Sequence, residues 1–488
     1  MAFPAASRGP LGGLAGFGTA RVLPALVVIG LAVVLGAAVG RYGLFTLYLW
    51  YPLACVWVLV WPRSATVAML GAFVALGPVT FGHTEFIAFL WYDFPPEIDR
   101  VLPLTIDPGE TLIALAALSL ALRPMVRRPG FGRVPLLLWA LPATAIVGLT
   151  YGLSRGGDDA IAYHEARGLL FAAITFFIAV RMQAVSARTI LRVALIATAA
   201  LAIIDVERYF AHGRGTTFPV GVEGAYPHED VIFLALGFML SAAMFLRTPR
   251  ATARAPLALH SVLMVAATFM TARRSGTLVL LIAGLVMLWL VFGRRPVLVI
   301  ILSGILVVAG TAYLSAYWYH DYGTIAQPAR AIRSQFDPSQ RDANSDIYRA
   351  IERFNVTYTI RASPIFGVGF GRPFTEFIPM VDVRGYWSLQ QYTPHVNIML
   401  LWLKMGIFGV SAFMGAWVLA MSRSLRAFRE ARRYGVPVVE LFIPVALCVY
   451  LAFSYVDLVL LSSRALVPLA IALAVAYLLP DPEPAKAA

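Results

Sequence analysis

Long apolar runs, broken at intervals by short polar connections, dominate this chain. Residues 22–40 (VLPALVVIGLAVVLGAAVG) and 296–317 (PVLVIILSGILVVAGTAYLSAY) are the clearest. Each has about the 20 residues that carry a helix across the hydrocarbon of a bilayer. Further runs of this kind fall near 44–61, 65–82, 104–122, 134–152, 168–182, 189–205, 230–246, 256–272, 276–293, 396–421, 438–456 and 464–480. A backbone in lipid must satisfy its own hydrogen bonds, so runs of this length are helices. The pattern predicts an all-α integral membrane protein of about 12–14 transmembrane helices. Its organisation reads as a cytoplasmic segment at 1–21, helices over 22–317, an extracytoplasmic loop at 318–395, helices over 396–480 and a disordered tail at 481–488.

Composition agrees. Of 488 residues, 60% are hydrophobic and 13% charged, against about 25% charged in soluble domains. The formal charge of +13 sits mostly in short loops between spans. That is the positive-inside signature and excludes nucleic acid as a partner. The two cysteines, Cys55 and Cys448, each lie in an apolar stretch, which gives neither a disulfide framework nor a zinc spacing. The first apolar run is long enough to span and has no clear small-residue cleavage site, so it reads as a retained helix rather than a signal peptide.

The basic loops set the orientation. Arg123, Arg127, Arg128 and Arg133 share one connection, Arg181, Arg188 and Arg192 a second, and Arg247, Arg250 and Arg254 a third. Arg294 and Arg295 mark a fourth; Arg423, Arg426, Arg429, Arg432 and Arg433 mark the last. All fall on one side, the cytoplasmic one, with both termini. The opposite side holds 83–103, 153–167, 206–229 and the long loop 318–395. Within that loop, Ile347, Ile351, Phe354 and Tyr358 repeat at helical spacing, which predicts a helix near 345–362. Asn344 or Ser345 is placed to cap it and Ser363-Pro364 to end it. Arg349 and Arg353 share the opposite face, where solvation alone would account for them.

Several polar residues break the outer-side pattern. In TARRSGTL, residues 271–278, Arg273 and Arg274 occupy a tight outer turn against the positive-inside bias. They either anchor helix ends by snorkelling or meet an anion, for which the guanidinium fork is suited. Arg167, at the mouth of the 168–182 run, and Arg349, Arg353 and Arg361 lie on the same side; together they could surround a diphosphate. His395 opens an apolar run that Gly406 and Gly409 interrupt. An imidazole there either has a structural role or orients or deprotonates a hydroxyl. The glycines let neighbours approach closely. Lys404 needs a cavity or a partner, unless a break near Gly406 lets it reach water. His228, Glu229 and Asp230 are consecutive, which suits a helix start better than a metal site. Asp457 could pair with an outer arginine or with His395. GVGFG, residues 367–371, has the wrong spacing and context for a nucleotide loop and reads as a turn. No Walker sequence is present.

These residues resemble the bacterial O-antigen ligase and polymerase family, polytopic glycosyltransferases of the C-type fold class. His395, Val396, nine residues and Gly406-Ile407-Phe408-Gly409 are similar to the family's histidine motif. TARRSGTL resembles its Thr-x-Ser-Arg turn, which points to Arg274. DIYRAIERFNVTYTIRASPIFGVGFGRPF resembles the segment in which an arginine precedes Pro-x-x-Gly-x-Gly, which points to Arg349. The resemblance runs roughly over 165–460. It implies inverting transfer of a glycan from undecaprenyl diphosphate to a glycan or lipid acceptor, on the periplasmic face of the bacterial inner membrane. His395, Arg274 and Arg349 would then be catalytic. Arg167, Arg273, Arg353, His228 and Asp457 would bind substrate, and neither metal nor cofactor would be needed. The alternative is a lipid or polysaccharide transporter without catalysis. Paired repeats or several intramembrane charges would mark one, and the chain shows little of either.

Overall fold

The structure, a computed structural model, describes residues 47–75, 107–123, 136–182, 187–212, 228–271, 273–321, 323–384, 389–432 and 436–478. The expected first span at 22–40, the loop 83–103, the segment 1–21 and the tail 481–488 lie outside the described residues, as do Arg127, Arg128, Arg133 and Arg433.

Helices account for the described architecture, which contains no strand. In chain order they are α1 (Leu47–Val60), α2 (Pro62–Ala75), α3 (Pro108–Ala121), α4 (Ala140–Ser154), α5 (Asp159–Arg181), α6 (Ala187–His212) and α7 (Asp230–Arg247). There follow α8 (Ala251–Met270), α9 (Arg274–Phe292), α10 (Pro296–Tyr317), α11 (Gln327–Arg333), α12 (Gln340–Ala362), α13 (Asn397–Ala431), α14 (Val438–Val456) and α15 (Ser463–Leu478). Among the described residues eight helices are long and apolar enough to cross a membrane: α5 to α10, α13 and α14. Shorter apolar helices lie at Tyr51–Val60, Pro108–Ala121, Ala140–Ser154 and Ser463–Tyr477. This is an all-α integral membrane protein.

The enclosed helix is α7, packed by α6, α8, α9 and α14. Its residues from Asp230 to Gly237 are all buried. At the other extreme, α10 has no buried residue. An apolar helix with no buried residue is stable only with lipid around much of it, because its backbone is internally bonded and its side chains lose nothing in hydrocarbon.

Several boundaries differ from the hydropathy reading, each for a local reason. The run at 168–182 belongs to a helix that begins at Asp159, where the Asp158 carboxylate accepts from the Ile161 amide at 2.9 Å. Arg167 therefore lies two turns inside α5 rather than at its mouth. Hydropathy stopped early because Tyr163, His164 and Glu165 are polar; protein rather than lipid surrounds Glu165, which is fully buried. The helix expected near 345–362 starts at Gln340, five residues earlier. Its cap is Ser339, whose hydroxyl accepts from the Asp342 amide, not Asn344 or Ser345. It ends at Ala362 with Ser363 as C-cap.

The packing face of α12 is also not the apolar stripe. Ile347, Phe354 and Tyr358 are 58%, 47% and 44% exposed, while Glu352, Asn355, Val356 and Thr359 are buried. The reason is backbone accounting. The segment after α12 is irregular, so its amides need side-chain partners. Asn355 accepts from Phe377 and Ile378 amides at 3.0 and 2.8 Å and donates to the Ile378 carbonyl. Thr359 accepts from the Thr375 amide.

The 35-residue α13 is broken at Gly406, with φ 63° and ψ −161°. The break opens its backbone to the loop: Val368 N–H donates to Leu403 O at 2.7 Å and Ile407 N–H to Pro364 O at 3.0 Å. A Cβ at Gly406 would lie 1.9 Å from Ile365 O. GVGFG is thus a turn docked against α4 and α13, with a Gly369 Cβ position 2.4 Å from the Gly152 Cα.

Candidate active site

His395, two residues before the start of α13, meets the buried face of α12. The Glu352 carboxylate lies 2.9 and 3.1 Å from His395 Nδ1 and accepts from the His395 amide at 2.9 Å. Glu352 is 2% exposed and His395 20%. One carboxylate thus fixes both backbone and ring. With the proton on Nδ1 donated to Glu352, Nε2 is the basic nitrogen. Tyr348 packs edge-on against the ring at 6.0 Å between centroids. Burial and the Glu352 charge push the Tyr348 phenol up, so it stays protonated.

A second contact reaches α12 from α9. Arg274, the first residue of α9, forms an ion pair with Asp342 in the first turn of α12. Asp342 and Glu352 are ten residues apart, about 15 Å along the axis. Arg349 lies between them, seven residues from Asp342 and three from Glu352, so the three share one broad side of the helix. Its guanidinium has no ion pair or hydrogen bond to another described residue. Arg353 is exposed.

Next to Arg274, Arg273 donates to His228 Nδ1 at 2.8 Å, and the same nitrogen lies 3.0 Å from Asp457 Oδ2. Nδ1 cannot accept and donate at once. Protonated, it pairs with Asp457; neutral there, it accepts from Arg273. Burial alone would raise the Asp457 carboxyl, but His228, Arg273 and the Leu458 amide outweigh it and hold it below the usual carboxylate range. Of the two partners open to Asp457 on the sequence reading, then, the arginine side holds it, through His228, rather than His395.

The two clusters close into a circuit. Leu460, three residues beyond Asp457, donates its amide to Asn397 Oδ1 at 2.6 Å, and Asn397 is two residues beyond His395. Arg274, Asp342, Glu352, His395, Asn397, Asp457, His228 and Arg273 are therefore linked in a ring by short contacts and short stretches of chain. Arg167 is tied instead to Asp107 at 3.6 Å.

Beneath the ring sits an ion pair. Lys404 Nζ is 2.9 Å from Glu165 Oε1, and both side chains are fully buried. Lys404 also donates to Arg372 O at 2.6 Å; Glu165 accepts from the Gly371 amide at 2.8 Å and the Thr393 hydroxyl at 3.1 Å. The break at Gly406 does not bring Lys404 to water. The pair anchors both strands of the loop that delivers His395.

Sequence reasoning missed Glu352, Asp342, Asn397 and the identity of the Lys404 partner. Glu352 alone left a signal, as an acid one turn beyond Arg349. Nothing linear marks Glu165 as the partner of a residue 239 positions away. No group of three or more potential metal ligands occurs among the described residues.

The fold and this rim define a polytopic membrane protein with a polar, arginine- and histidine-bearing site at the ends of its helices. Residues 259–414 match the family model described as O-antigen ligase, which supports the O-antigen ligase/polymerase family for this chain. The matched stretch contains Arg273, Arg274, Asp342, Arg349, Glu352 and His395. It supports, in general terms, membrane glycosyltransferase activity on lipid-linked glycans. A search of curated proteins gives no match.

Proposed function

We propose that the protein transfers a glycan from undecaprenyl diphosphate to an acceptor hydroxyl, as ligase or polymerase, at the extracytoplasmic face of the inner membrane. The acceptor oxygen attacks the anomeric carbon from the side opposite the diphosphate. The bond from that carbon to the phosphate oxygen breaks, undecaprenyl diphosphate departs, and the configuration inverts. His395 Nε2 takes the acceptor proton while Glu352 holds Nδ1–H and stabilises the imidazolium that forms. Arg274 and Arg349, with Arg273, meet the charge that builds on the leaving diphosphate. Guanidiniums supply that charge stabilisation, so the reaction proceeds without a divalent cation. Arg167, Arg353, His228 and Asp457 line or brace the donor and acceptor approaches.

The observation that supports this reading is the circuit itself: α12 joins the Arg274 contact to the His395 contact, with Arg349 between them. The test is a transfer assay with purified protein, a lipid-diphosphate glycan and candidate acceptors. Product should form in the presence of a chelator and fall sharply for Arg274→Ala and His395→Ala. Wild-type rates from both variants, or complete dependence on added Mg²⁺, would remove the mechanism.

A further inference from the structure

At the end of α9 remote from Arg274, about 28 Å away by the rise of a 19-residue helix, a second cationic site is built from two helix ends. Arg294 follows the last turn of α9. Arg426, Arg429, Glu430 and Arg432 come from the end of α13. Together they line a cavity of about 430 Å³ that opens broadly to the surface. Arg432 is seated by its bond to the Leu290 carbonyl at 3.1 Å, and the charge of Arg294 opposes its own. Glu430 makes no ion pair with any of the four.

Helix C-termini attract cations, and that accounts for part of the gathering. Each end carries only about −0.5 charge, so two ends offset roughly one of the three surplus positive charges. About two remain. Guanidiniums bind phosphate oxygens in pairs, and the site lies at a membrane-face level, where lipid phosphates sit. We propose that this cavity binds a phosphate-bearing anion of about two negative charges, on the membrane face opposite the candidate active site. Two sources share that chemistry: a lipid headgroup with two phosphodiesters, and free inorganic phosphate.

The experiment uses the full chain purified in detergent. Wild type, Arg426→Gln/Arg429→Gln and Arg250→Gln/Arg254→Gln are each titrated with diphosphatidylglycerol, phosphatidylethanolamine or inorganic phosphate. Retained ligand is read by native mass spectrometry and binding by thermal shift. Wild type should prefer diphosphatidylglycerol over phosphatidylethanolamine by about tenfold or more, about 1.4 kcal/mol. The 426/429 variant should lose that preference and the 250/254 variant, altered in another basic loop of the same side, should keep it. Retention of inorganic phosphate instead, lost in the same variant, supports the cavity and assigns it to a soluble anion. Undiminished preference in the 426/429 variant, or equal loss in both variants, overturns the proposal. Should the double variant fail to fold, Arg429→Gln reads the same loss on a smaller scale, since this side chain is exposed.

Discussion

Two cation–carboxylate pairs lie nine residues apart at the start of α13. His395 with Glu352 is at the rim, its ring one-fifth exposed and its cation optional. Lys404 with Glu165 is sealed, both side chains without exposure. The rim pair presents an imidazole, a group able to accept or donate a hydrogen bond, and is partly open to its surroundings. The sealed pair has no such opening. Its remaining bonds go to backbone and to Thr393, which makes it a brace for the chain that carries His395. Burial separates the roles: a desolvated ion pair is retained for what it holds in place, since its desolvation cost offsets much of its Coulomb attraction.

Variants can sharpen that contrast. The largest effect is expected for His395→Ala, a loss of about 10²- to 10⁴-fold in transfer rate, the usual worth of a positioned acid or base, with a smaller drop in melting temperature than for Lys404→Met because the residue-395 amide still pairs with Glu352. Glu352→Gln should lose about 10²-fold, because an orienting carboxylate acts through its imidazole. It should also displace the pH–rate profile, which a purely structural residue would leave in place. Lys404→Met should behave in the opposite way, costing about 3–5 kcal/mol of stability by leaving Glu165 buried and unpaired. Glu165→Gln/Lys404→Met should recover much of that loss in a thermal or detergent denaturation series. A double variant no more stable than the single one would show that the pair does more than balance charge. Gly406→Ala should cost at least about 1–3 kcal/mol for a left-handed backbone carrying a side chain, on top of the collision with Ile365 O. The smallest effect concerns Asp457. Its carboxyl is depressed in the folded state, so its contribution is present above the unfolded value near 3.8 and is lost as pH falls below it. Asp457→Asn should flatten the acid limb of the melting temperature plotted against pH. An unchanged acid limb would remove His228 and Arg273 as its stabilisers.

Legibility from sequence followed the range of the interaction. The spans near 230–246, 296–317 and 438–456 coincide closely with α7, α10 and α14, because twenty consecutive apolar residues fix a membrane helix without any partner. At 168–182 the reading failed by nine residues at the start, since a buried polar turn looks like a loop when its neighbours are unknown. On α12 periodicity found the helix and pointed to the wrong face: an irregular segment alongside needed hydrogen bonds more than it needed apolar contact.

The sequence by itself determined that this chain lives in a bilayer as helices, that its short polar connections are rich in arginine, and that an imidazole and several further guanidiniums stand apart from the apolar runs. Those are local facts, written in composition, run length and charge. Only the tertiary structure decided that Glu352 holds His395, that Arg274 reaches the same helix, and that Lys404 closes on Glu165. Such pairings depend on where helices hundreds of residues apart come to rest, and a buried charge is satisfied by whichever partner the packing supplies rather than by its neighbours in sequence.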